Sequence, residues 1–303
     1  MERYGENSHW KFPQKHVIIT TDMKKQKLLP VKSDIVFRMF FADERNEDFL
    51  ISFLKSVLKL PKEEYKKIVI ADPHLLPEHI GDKFSVIDVK LHTKSGKTIH
   101  IEIQLQVTKD TRDRIVFYDA KLITEQLGSG GKYESIQKVI SIVITNKELI
   151  KNSSRYHHRF TFYDPEAGVE FSDVIEIHSL ELNKLPDRTD GTELYDWAKF
   201  INAESEEELD MVAERNPRVK KAVVTLRRLS ADEQARDMYE RREKAMRDID
   251  SMNREAEQRG LEKGKTEEKA KIATNLLSLN LPLETIITAT GLTREEIENL
   301  RKK

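Results

Sequence analysis

The sequence predicts an α/β protein, a mixed sheet flanked by helices and followed by an all-helical extension. Three observations carry this. Two segments of helical period precede a series with strand period, and a run rich in β-branched residues, Val139 to Thr145, suits a buried strand. From Glu204 to Lys303 the strand signals vanish and helix formers with charge of both signs take over.

Taken in order, residues 1–29 are polar apart from one strand-like patch, His16 to Thr20, and read as an arm. After Leu29-Pro30, Asp34 is placed to N-cap a helix carrying Ile35, Phe37, Met39, Phe40 and Phe41. A second helix, Glu44 to Leu58, sets Phe49, Phe53, Leu54, Val57 and Leu58 at helical spacing before Pro61 stops it. Strands follow at Ile68 to Ile70, Phe84 to His92 and Thr98 to Val107. A helix from Asp110 to Leu127 ends at Gly128-Ser129-Gly130-Gly131, then come Val139 to Thr145, His158 to Tyr163 and Val169 to Ile177 as strands. The composition shift after Asp190-Gly191 divides the chain into an arm (1–29), a sheet domain (30–190) and a helical C-terminal region (191–303).

Charge and composition narrow the function. Of 303 residues 35% are charged, against about 25% in an ordinary domain, yet 52 basic and 53 acidic side chains leave a net charge of -1. A nucleic-acid surface must therefore be local. The chain has no cysteine, which excludes disulfides, thiolate nucleophiles and zinc-thiolate sites and fits a reducing cytoplasm. No run of roughly 18 apolar residues occurs, so the expectation is a soluble, cytoplasmic protein with no membrane partner.

The chemistry concentrates in the Phe84 to Val107 segment. In Thr98 to Val107 the alternation is complete: Ile99, Ile101, Ile103, Leu105 and Val107 face one way, and His100, Glu102, Gln104 and Gln106 the other. Register decides whether Asp88 joins the polar row. A two-residue turn at Ser95-Gly96 would oppose Asp88 to Ile103, whereas a three-residue loop, Lys94-Ser95-Gly96 with Gly96 left-handed, opposes it to Glu102. We adopt the three-residue loop. Two facing carboxylates repel unless a cation joins them, and an oxygen-only ligand set favours Mg²⁺ or Mn²⁺. His92 and His100 fall on the same face, where a zinc site with the acids is the lesser alternative.

Asp88 followed by Glu102-Ile103-Gln104 on the next strand resembles the Asp and Glu-x-Lys pattern of the PD-(D/E)XK nuclease superfamily, in a Glu-x-Gln form. The helix text Arg114-Ile115-Val116-Phe117-Tyr118, with Glu125-Gln126-Leu127-Gly128 and Tyr133, is similar to its recombination-promoting nuclease or putative transposase family, as is Ser33-Asp34-Ile35-Val36-Phe37-Arg38. The resemblance implies a restriction-endonuclease-like fold over 30–190 and a metal-dependent DNA endonuclease linked to recombination or mobile elements. It makes Asp88 and Glu102 the metal ligands. Gln104 would orient the attacking water, Lys90 is the candidate for the cation that glutamine does not supply, and Arg114, Tyr118 and Lys121, at i, i+4 and i+7, would contact phosphate. Asp34 is a further candidate ligand.

The alternative is a catalytically weak nuclease-fold protein that binds DNA or regulates through oligomerisation. The tail reads as three helices, Lys271 to Leu279, Pro282 to Ala289 and Thr293 to Leu300, with a Thr293–Glu296 capping box and a turn at Gly291. Glu295, Glu296 and Glu298 would oppose phosphates, and Ala245, Ile249, Met252 and Ala256 follow a 4-3-4 seam, so this region is expected to serve homo-oligomerisation or partner docking.

Overall fold

The computed structural model describes residues 27–71, 74–75, 85–86, 88–127 and 130–301. The His16 to Thr20 patch lies outside the described residues. Two helices open the fold, α1 (Asp34–Phe41) and α2 (Glu47–Val57), the latter preceded by a 3₁₀ turn at Glu44–Asn46. Asp34 is not the cap of α1. The Ser33 carbonyl already accepts the Phe37 amide at 2.8 Å, so Ser33 occupies the cap position, and Asp34 is the first helical residue with its carboxylate on the Ile35 amide.

A six-stranded sheet forms in the order β1 (Val69–Ala71), β4 (Val89–His92), β5 (Thr98–Gln104), β6 (Val139–Thr145), β8 (Val169–Glu181), β7 (His157–Asp164). A separate pair joins β2 (His74–Leu75) to β3 (Ser85–Val86). The strand expected from Phe84 to His92 is thus divided, with Asp88 at a bend between β3 and β4. β1, β4 and β5 are antiparallel neighbours, whereas β5–β6 and β6–β8 are parallel. Parallel neighbours need a crossover, and α3 (Thr111–Thr124) supplies it between β5 and β6. Every residue of β6 is buried, as its largely apolar run, interrupted by Ser141, suits.

The inward rows Val89 and Leu91, Ile99, Ile101 and Ile103, and Ile140, Ile142 and Ile144 share one core with α1 and α2. Three further helices enter the same core: α4 (Glu193–Asn202), α5 (Glu206–Arg215) and α6 (Pro217–Ser230). Trp197 and Phe200 of α4 pack edge-on at 5.7 Å and complete an aromatic cluster with Phe40, Phe41 and Phe53. At the other end of the chain order, Leu29 is buried, its amide on the Ser230 hydroxyl at 3.0 Å. The compact units divide between Tyr239 and Glu240, so α4–α6 belong with the sheet and not with the tail. In the second unit the end of α7 (Glu233–Ser278), α8 (Leu283–Thr290) and α9 (Arg294–Arg301) enclose Ala273, Ile286, Leu292 and Ile297. Gly291 is left-handed at φ 68°, and Thr293 and Glu296 exchange the two hydrogen bonds of a capping box. No helix among the described residues is long and apolar enough to cross a membrane.

The β4–β5 hairpin has the three-residue loop. Thr93 N donates to Lys97 O at 3.0 Å, Gly96 N to Thr93 O at 2.9 Å, and Gly96 takes φ 89°. Glu64, from a 3₁₀ turn at Lys62–Lys66, fixes that loop: its carboxylate accepts from the Thr93 hydroxyl (2.7 Å), the Ser95 amide (3.2 Å) and hydroxyl (2.9 Å), and Lys97 Nζ (2.5 Å). Burial opposes its ionisation, but the bonds from Lys97, Thr93 and Ser95 outweigh that and bring its pKa down to about 2. A depressed folded-state pKa gives stability that is present above the ordinary 4.5 and lost as pH falls toward about 2. Glu64→Gln is expected to cost about 1–3 kcal/mol at pH 7, read by urea denaturation, with the gap to wild type closing toward pH 3. A gap that does not change with pH would contradict this role.

Candidate active site

The β4–β5 ladder pairs Val89 with Ile101 and Lys90 with His100. One step further, that register sets Asp88 opposite Glu102. At this point the ladder gives way to side-chain bonds. Asp88 Oδ2 accepts the Ile103 amide at 2.6 Å, and the Asp88 backbone hydrogen-bonds toward the Glu102 carboxylate. Asp88 is half-buried while Glu102 is only 9% exposed. Glu102 Oε2 is fully shielded and has no hydrogen-bond partner among the described residues.

A buried carboxylate oxygen without a donor is costly when charged. Burial first, then the charge of Asp88, push the Glu102 pKa up to about 8; Arg114 pulls the other way and Asp34 adds to the rise. Asp34, on α1, therefore belongs to the electrostatic surroundings of Glu102.

Helix α3 covers this face of the sheet. Arg114 Nη2 donates to Gln104 Oε1, and the Gln104 amide donates to the Gln106 carbonyl at 2.8 Å. Lys90 lies on the Asp88 face, but its ammonium pairs with Glu125 just past the end of α3 at 3.2 Å. His100 is fully buried, its Nε2 2.9 Å from Asp119 Oδ1 and 2.5 Å from the Ser141 hydroxyl, which itself donates to Asp119. His92 sits at 3.2 Å from the Thr98 hydroxyl. The histidines thus turn to separate partners, and among the described residues no group of three or more histidine, aspartate and glutamate side chains is gathered closely enough to hold an ion.

The predicted phosphate-contacting stripe divides. Arg114 joins the acidic row through Gln104. Tyr118 is half-buried against Leu122 and Val139, and Lys121 is buried, with its ammonium 5.9 Å from the Phe117 ring centre. The stripe therefore runs from the acids into packed interior, not along an open face. Sequence reasoning missed Asp119, Ser141, Glu125 and Glu64. Asp119 had a visible signal: it breaks the apolar stripe of Ile115 and Leu122 at a buried helical position.

What the arrangement can do follows from its donors. All are oxygens, the two carboxylates lie in each other's field, and Glu102 Oε2 is buried without a hydrogen-bond partner among the described residues. Mg²⁺ takes one or two protein carboxylates and completes its shell with water and phosphate oxygens, so two acids suffice and the residues fit such an ion.

The family described as PD-(D/E)XK nuclease family transposase matches residues 31–256, a span from α1 through the sheet and into α7. The chain belongs to this family. No curated protein and no solved structure matches it.

Because the folded-state pKa of Glu102 is raised, stability falls as pH climbs from about 4.5 to about 8 and levels off beyond. Glu102→Gln removes that loss. In EDTA the melting temperature of the variant should exceed wild type by a margin that widens across this window. Parallel pH profiles for the two proteins would mean that Glu102 titrates like a surface carboxylate.

Proposed function

We propose that this protein is a divalent-metal-dependent DNA endonuclease that hydrolyses phosphodiester bonds in recombination or mobile-element processes, in the cytoplasm, with Asp88 and Glu102 as the ligands of Mg²⁺ or Mn²⁺. The observation that carries this reading is the buried Glu102 Oε2, without a hydrogen-bond partner among the described residues and in the field of a second carboxylate, Asp88. Membership of a nuclease family supports it. When bound, such an ion would withdraw electron density from a phosphoryl oxygen and acidify the attacking water.

The chain's own residues supply the rest. Asp88 is oriented by the Ile103 amide, which donates to its Oδ2. Gln104 has one oxygen lone pair and one N–H beyond those already engaged, enough to orient a water. Lys90 is paired with Glu125, and on this reading Arg114 of α3 meets the phosphate, with Tyr118 and Lys121 packed behind it. Asp34 adds negative charge that favours a cation at Glu102.

A second reading, a weakly cleaving DNA-binding or regulatory protein acting through oligomers, draws on two observations. Gln104 is neutral, and Ile249 and Met252 of the α7 seam are exposed. Supercoiled plasmid decides between the readings. With Mg²⁺ the wild type should nick, EDTA should stop it, and Asp88→Ala and Glu102→Ala should each lower the rate by at least about 100-fold, the upper scale on which even outer partners of metal sites act. Salt-sensitive binding without turnover in Mg²⁺ or Mn²⁺ favours the second reading. Equal nicking by the variants refutes the site.

A further inference from the structure

The acidic row poses a charge problem for any phosphate that approaches it. Glu102 lies in the field of Asp88 and Asp34, and Gln104, the next polar residue of β5, is neutral. A divalent ion offsets two of these charges, but a phosphodiester brings one more and gains charge as it is attacked. A second positive group is therefore required beside the ion.

Two cations on this face have been placed by the fold. Lys90 is committed to Glu125 at 3.2 Å, an acid that offsets its charge. Arg114 differs. Its bond goes to an uncharged partner, the Gln104 carbonyl oxygen, so its charge is not neutralised by that contact. It also acts on Glu102 as the counterweight to Asp88.

The location of Arg114 is built in. Its amide closes the first turn of α3 on the Asp110 carbonyl at 2.8 Å. The next residue, Ile115, is buried against Val143 and Leu149, and one turn on, Asp119 is tied to His100 and Ser141. The guanidinium is planar with five N–H donors, of which Gln104 takes one. The remaining donors suit a phosphate, which arginine grips by two oxygens. The Gln104 side chain is itself tethered at its amide end to the Gln106 carbonyl at 2.8 Å, which orients its oxygen toward the arginine.

We infer that Arg114 is the phosphate-gripping cation of this site and that Gln104 is the positioning residue that holds its guanidinium beside the two acids. This rests on the nuclease reading for the identity of the phosphodiester, but not for its test. Gln104 here is a holder of charge, with orientation of water secondary.

The experiment measures duplex oligonucleotide binding by fluorescence anisotropy in Ca²⁺ over a salt series, beside plasmid nicking in Mg²⁺. Arg114→Gln should weaken binding roughly ten-fold and flatten the plot of log affinity against log salt by about 0.9, the value of one phosphate contact. The double variant Gln104→Lys with Arg114→Gln, which puts a cation back on β5, should restore both. Should Arg114→Gln fail to fold, Arg114→Lys replaces it: the salt slope should stay while affinity falls several-fold, because lysine lacks the planar fork, and wild-type affinity would overturn the proposal.

The two readings separate cleanly. Nicking by the wild type with unchanged binding and slope in Arg114→Gln overturns the role of Arg114 and leaves the nuclease reading standing. A slope that depends on Arg114 and is rescued by the double variant, in a protein that nicks nothing, upholds Arg114 and sinks the nuclease reading. Lost binding without rescue assigns Arg114 to structure alone, and absence of any DNA binding by wild type overturns the proposal.

Discussion

The site depends on one unfavourable contact, a shielded Glu102 set across a strand pair from Asp88. Arg114 and the Asp88 backbone relieve it only in part. The hairpin loop forces the two acids to face each other, and α3 closes over the polar row, so water cannot fully solvate Glu102. Burying an ionised carboxylate carries an effective penalty of several kcal/mol. The protein meets this by holding a proton on Glu102 to an unusually high pH, and a divalent cation would meet it by taking the place of that proton.

The scaffold works to keep that contact in place. Glu64 clamps the loop that sets the register, and β6 anchors β5 from the other side through an unbroken parallel ladder from Thr98 to Gln104. The buried His100, Asp119 and Ser141 tie β5, β6 and α3 together one residue pair from Glu102. Polar networks of this kind fix geometry at a cost in desolvation, and here two atoms, His100 Nδ1 and Asp119 Oδ2, remain without partners among the described residues. The aromatic cluster of α1, α2 and α4 supports the opposite face of the sheet.

Much of this was legible because β-strands have a strict period of two. The alternation of Ile99 to Gln106 identified the polar face, and Gly96 selected the loop length that the ladder then shows. Val139 to Thr145 is a strand over its full predicted extent. What the sequence could not reveal was long-range: that Trp197 and Phe200, lying after a sharp change in composition, return to the core of the sheet, or that Lys90 would find Glu125 and His100 would find Asp119. Local cues also misled at Asp34, where an acidic residue suited to capping sits one place inside the helix. Strand propensity alone did not show the bend at Asp88, where the carboxylate accepts the Ile103 amide, a contact between residues 15 apart in the chain.

The most direct measurement is the anomalous diffraction of crystals soaked in Mn²⁺. The account predicts a single peak between the strands at coordination distance, about 2.0–2.6 Å for hard cations, from an oxygen of Asp88 and from Glu102 Oε2. Manganese bound elsewhere, or held by one of these carboxylates without the other, would contradict it.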